Sequence, residues 1–149
     1  MNRKEKRQAR ISALQALYAW ELAGNDPGGT LAYLTEWTEN DSLPDVISYA
    51  GKLSRLAIKN VTLCDELIQK RSKNWEMGRI TLVDKLILRI AIAELLFVED
   101  IPPKVSISEA VEIAKEFSTD DSSAFINGIL DSVFNDQQTG KLSGISVSE

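Results

Sequence analysis

The chain has 149 residues, 44% hydrophobic and 26% charged, with a net charge of −5, a single cysteine and no histidine. A chain of this size folds without a metal or disulfide staple, and the missing histidine removes the commonest general base and the commonest metal ligand together. Neither a phosphate-binding Gly-rich loop after a strand nor a nucleophile elbow occurs, so an enzyme, a resident metal and an organic cofactor are not expected.

The first helix is expected over 3–23, where Ile11, Leu14, Leu17, Tyr18 and Leu22 recur every three or four residues before Gly24-Asn25-Asp26-Pro27-Gly28-Gly29 stops it. Its start is a basic arm: Arg3, Lys4, Lys6, Arg7 and Arg10 against Glu5 give the first ten residues +4, leaving −9 for the other 139. On a helix Arg3, Arg7 and Arg10 share a face, with Lys6 beside them, and guanidinium forks bind phosphates bidentately. Positive charge opposes the dipole at a helix amino terminus, so the arm calls for an anionic partner or frays. The segment lacks the long apolar run of a secretion signal, which leads to the expectation of a cytoplasmic chain.

A short helix over 30–39 should bury Leu31, Leu34 and Trp37, and Ser42-Leu43-Pro44-Asp45 starts the next, with Ser42 as its cap. That third helix keeps an apolar stripe from Val46 through Leu53, Val61 and Cys64 to about Lys70, with a break near Asn60. Cys64 lies among apolar neighbours as a buried filler. Residues 72–79, with Trp75 and Gly78, join the halves.

The helix expected over 81–98 is apolar nearly all round, which marks a central element. Arg89 and Glu94 interrupt its longest apolar run, which is too short to cross a bilayer. Pro102-Pro103 enforces an extended link before a helix over 107–117 with Ile107, Ala110, Val111, Ala114 and Phe117 inward; Ser106 with Glu109, or else Ser108, supplies the cap. Glu109, Glu112 and Glu116 read as a solvated face. The last helix, 119–134, buries Phe125/Ile126, Ile129/Leu130 and Val133/Phe134, and Gly128 reads as a place where another helix approaches closely. No segment alternates convincingly with period two, so the fold class is all-α: two packed helical subdomains of six to seven helices, 1–74 and 75–135, followed by a Gly/Ser/Gln-rich disordered tail, 136–149.

Two stretches carry a longer pattern. Ala9-Arg10 through Ala13, Gln15, Leu17-Tyr18 and Trp20 is similar to the arginine-led first helix of the NusB family, and LILRIAIAELLFVEDIPPKVSISEAVEIAKEFSTDDSSAFINGILD, residues 86–131, resembles that family's long carboxy-terminal signature. The resemblance implies a transcription antitermination factor that binds boxA-type single-stranded RNA with the ribosomal protein NusE during ribosomal RNA transcription. It engages other Nus factors and RNA polymerase indirectly, with no membrane, and a homodimer of the free chain stays open. It implies RNA contacts by Arg3, Lys4, Lys6, Arg7 and Arg10, a stacking role for Phe125 and an acidic neighbour, Asp121, beside the RNA; Tyr18 and Asp84 match positions at the NusE interface. Periodicity alone also allows Phe125 and Tyr18 as core, Asp121 as a cap and Asp84 as dipole compensation. Competing functions are an RNA-docking domain of an rRNA methyltransferase-like system and a protein-only scaffold.

Overall fold

The computed structural model describes residues 1–24, 26–30, 43–72 and 80–142. Among these residues there is no strand, and the long helices are α1 Arg3–Ala23, α2 Leu43–Lys59, α3 Val61–Arg71, α4 Leu82–Phe97, α5 Pro103–Phe117 and α6 Asp120–Gln138. Residues 27–30 are already helical, whereas the rest of the short helix expected over 30–39, the Ser42 cap and the joint with Trp75 and Gly78 lie outside the described residues.

The arm of α1 does not fray. The Asn2 side chain accepts from the Glu5 backbone N–H at 2.8 Å and its amide donates to the Glu5 carboxylate at 2.9 Å, a cap that occupies one orphan backbone donor and sets one negative charge in the first turn. Gly24 ends the helix at φ 67°, its N–H reaching Trp20 at 2.8 Å; a left-handed residue here favours glycine.

The break between α2 and α3 falls at Asn60, whose side-chain amide donates to the Leu56 carbonyl at 3.0 Å and competes locally with the helix ladder. Thr81 caps α4 by accepting from the Asp84 N–H. Twelve of the sixteen residues of α4 are buried and none is exposed, and it packs against all five other long helices. Fully enclosed side chains such as Leu88 and Ile92 contribute roughly 1.5–3 kcal/mol each. Cys64 fills the core as expected; its thiol lies 3.8 Å from the Arg89 carbonyl, and burial pushes its pKa up to about 12.

Four expectations need correction. The helix expected from 107 begins at Pro103, because proline, which lacks an N–H, is tolerated at the first helical position, where a backbone N–H has no partner within the helix. Helix α6 continues past 134 to Gln138: Arg71 on α3 donates to Ser132 at 3.0 Å and pairs with Asp136, pinning residues expected in the tail. Residues 143–149 lie outside the described residues. Leu22 and Phe117, expected inward, are exposed. Gly128 is also exposed, and a Cβ there would meet nothing within 4 Å, so no helix approaches it.

Two outcomes follow. Gly128→Ala should raise unfolding free energy by about 0.5–1 kcal/mol, because it removes backbone entropy without a clash; urea denaturation measures this. An alkylating reagent at pH 8 should modify Cys64 only after denaturant is added, and labelling of the folded chain at the unfolded rate would contradict its burial.

Candidate nucleic-acid interface

The five cations of the arm divide by depth. Arg10 is only 4% exposed. Its Nε donates to both carboxylate oxygens of Glu94, at 3.1 and 2.9 Å, and its Nη1 to Glu109 at 3.4 Å, while Nη2 is left without a hydrogen-bond partner. Glu94, 1% exposed, also accepts from the Tyr49 hydroxyl at 2.6 Å and the Ser106 hydroxyl at 2.7 Å. One carboxylate on α4 therefore gathers α1, α2 and α5. Burial, and then the charge of Glu94, hold the Tyr49 hydroxyl well above its ordinary pKa, so it stays a donor.

Glu109 is buried as well, contrary to its reading as solvated or as a capping-box partner, and Ser106 is spent on Glu94 rather than on a cap. Arg7, half-exposed, reaches Glu109 through Nε at 3.0 Å and through Nη2. That hydrogen bond holds the Arg7 guanidinium above its ordinary pKa. Arg10 is thus a structural residue, and Arg7 presents an outer edge from a fixed base.

Arg3, Lys4 and Lys6 have no acidic partner among the described residues. Arg3 and Lys6 line an open groove of about 580 Å³ with Lys104 and Ser108 from α5, and with Asp100 on the preceding loop. Lys104 is likewise unpaired, in a first turn that holds no acidic residue. Sequence reading missed it because it followed two prolines taken as linker. The available signal was proline at the first helical position, which brings the next lysine into a first turn where the dipole disfavours it.

Phe125 and Asp121 meet at the other end of α5. They line a groove of about 280 Å³ together with Asp84, Ser118 and Ser122. Phe125 is half-buried and Asp121 exposed, while Thr119 caps α6 by accepting from the Ser122 N–H at 3.0 Å. Glu109 and Ser118 are nine residues apart along α5, so this groove lies roughly 14 Å along the axis from the Arg7 contact. Asp84 is 5% exposed and accepts from the Ser118 and Ser122 hydroxyls, both at 2.7 Å. It is a buried clasp between α4 and the α5–α6 junction. Tyr18 is 40% exposed, with Leu22, 64% exposed, one turn on, which gives α1 an apolar patch away from the core.

Replacing Arg10 by alanine leaves Glu94 and Glu109 buried with less compensation and should cost about 3–5 kcal/mol. Arg3→Ala should change stability by no more than about 0.5 kcal/mol. Urea unfolding of the two variants separates a structural arginine from a surface one; equal effects would sink the distinction.

The sequence model described as NusB family matches residues 7–135. Proteins named transcription antitermination protein NusB from Chloroherpeton thalassium and Symbiobacterium thermophilum are 41% and 44% identical over 133 and 134 residues, covering 88% and 86% of this chain. The chain spans 62% of the first relative's length and 88% of the second's. The structure of T. maritima NusB matches with a TM-score of 0.77 at 34% identity, over 87% of this chain and 90% of that one. A crystal structure of antitermination factors NusB and NusE with double-stranded RNA matches with a TM-score of 0.77 at 26% identity, over 90% and 98%. A sequence match from the middle of the arm into the last turn of α6, with the same helical fold around it, makes this chain a member of the NusB family.

Proposed function

We propose that this chain is a transcription antitermination factor that binds boxA-type RNA together with the ribosomal protein NusE and supports processive ribosomal RNA transcription. The observation that carries this reading is the groove where Arg3 and Lys6 of α1 converge with Lys104 of α5, unpaired, in an otherwise acidic protein. Cations at the amino-terminal ends of two helices oppose both dipoles, and a phosphate chain relieves both at once. Arg7 adds its outer edge, and Phe125 offers a ring on which a splayed base stacks, with Asp121 beside it to temper phosphate affinity.

Tyr18 and Leu22 supply an apolar anchor for NusE, and the acidic body suits a basic ribosomal protein. Asp84 acts there through the α5–α6 junction that it clasps. Residues 1–74 and 75–135 form two subdomains, each contributing cations to the groove. Other Nus factors and RNA polymerase are reached through this assembly. A factor of this kind works in the cytoplasm and needs no bond-making chemistry of its own.

With four phosphates neutralised by Arg3, Lys4, Lys6 and Lys104, log affinity for a single strand should fall with log salt at a slope of roughly −3. Arg3→Ala with Lys6→Ala should weaken all RNA sequences alike and halve that slope. Anisotropy titrations of single-stranded and duplex RNA, with and without NusE, provide the readout. Binding indifferent to salt, or NusE association that RNA does not strengthen, would overturn the proposal.

A further inference from the structure

Beyond the arm, α2 holds a second concentration of positive charge. After Asp45 its charged residues are Lys52, Arg55 and Lys59, spaced i, i+3 and i+7 on one exposed face. They rim a groove of about 410 Å³ floored by Leu56 and Phe97. Lys52 and Arg55 have no acidic partner among the described residues. With −9 spread over the chain beyond the arm, three cations on one face with no intervening carboxylate form a local anion site.

The position of this groove ties it to the arm. Phe97 ends α4, and Asp100 and Pro102 on the following loop line the groove of Arg3, Lys6 and Lys104. Three peptide units separate Phe97 from Asp100, a span of at most about 11 Å. The two walls are also held in fixed register from inside: Tyr49, one turn before Lys52 on α2, and Arg10, one turn after Lys6 on α1, bind the same Glu94 carboxylate. Glu99 and Asp100 stand exposed on the loop between, so the grooves are two separate seats.

We propose that Lys52, Arg55 and Lys59 form a second phosphate seat, which takes the RNA backbone flanking the segment held at the arm. This rests on the RNA-binding reading above. A flexible polyanion bridges two cationic seats separated by a short acidic loop, since its phosphates repeat along the strand. An acidic segment of a partner protein is the alternative occupant of the same cations, and the test discriminates against it.

Binding of a short boxA RNA is compared with that of the same RNA lengthened at either end, on the wild-type chain and on Lys52→Gln/Arg55→Gln/Lys59→Gln. One lengthened RNA should bind more tightly than the short one, with a salt slope about 2 units steeper for three further phosphates, so that its advantage shrinks roughly 20-fold between 50 and 200 mM salt. The triple variant should bring the lengthened RNA back to the affinity and slope of the short one and leave the short RNA unchanged, with an unaltered circular dichroism melt. Equal binding of short and lengthened RNA by the wild type overturns the seat, as does a variant that weakens both lengths equally or loses only polyglutamate binding. Failure of the short RNA to bind the wild type at all would instead remove the arm reading.

Discussion

Burying a carboxylate costs several kcal/mol unless its oxygens are fully hydrogen-bonded, and the fold is arranged to meet that demand at Glu94. Arg10 from α1, Tyr49 from α2 and Ser106 from α5 all donate to it. Apolar packing is tolerant of small slides, since one aliphatic surface resembles another. A carboxylate with three donors from three helices is not tolerant, because a slip of one turn would strand a buried charge. The hydrophobic faces bring the helices together, and Glu94 fixes their register.

That register has a direct bearing on the surface. Arg10 lies one turn from Lys6, and Arg7 is tied through Glu109 to the same network. The arm is thereby rigid up to the point where its cations emerge, and the Asn2–Glu5 cap holds its first turn. A preordered array of cations loses less entropy on meeting a polyanion than a floppy one would. The tight structural use of two arginines and the free presentation of Arg3, Lys4 and Lys6 are thus two ends of one arrangement.

Helix α5 is the beam along which the two grooves are laid out. Its first turn contributes Lys104 to the arm groove and its buried face answers Arg7 and Arg10. Its last residues lead to Ser118, which donates to Asp84 beside Phe125. Asp84 secures one end of the beam and Glu94 the other, through Ser118 and Ser106 respectively. Both carboxylates belong to α4, so the central helix positions the whole surface without itself being exposed.

The helices were largely legible in the sequence. Period 3.6 in apolar residues, the Gly24 stop, the weakness at Asn60 and the all-round apolarity of 82–97 are local properties, and the structure has the bounds of α1, the break at Asn60 and the central α4 where those signals put them. The NusB resemblance carried the functional expectation. The roles of individual charged residues were not legible. Arg10 looks like its neighbours in the arm until Glu94, 84 positions away, takes it, and Arg7 until Glu109, 102 positions away, does so. Asp84 read as an interface position or as dipole compensation until two serines from the α5–α6 junction enclosed it, and Lys104 and the Lys52 face gained meaning only when folding set them beside grooves. Hydrophobic spacing is written along one helix, so the sequence by itself determined the elements. A charge is buried, paired or free according to which distant residues arrive beside it, so only the tertiary structure decided which cations remain to meet a ligand.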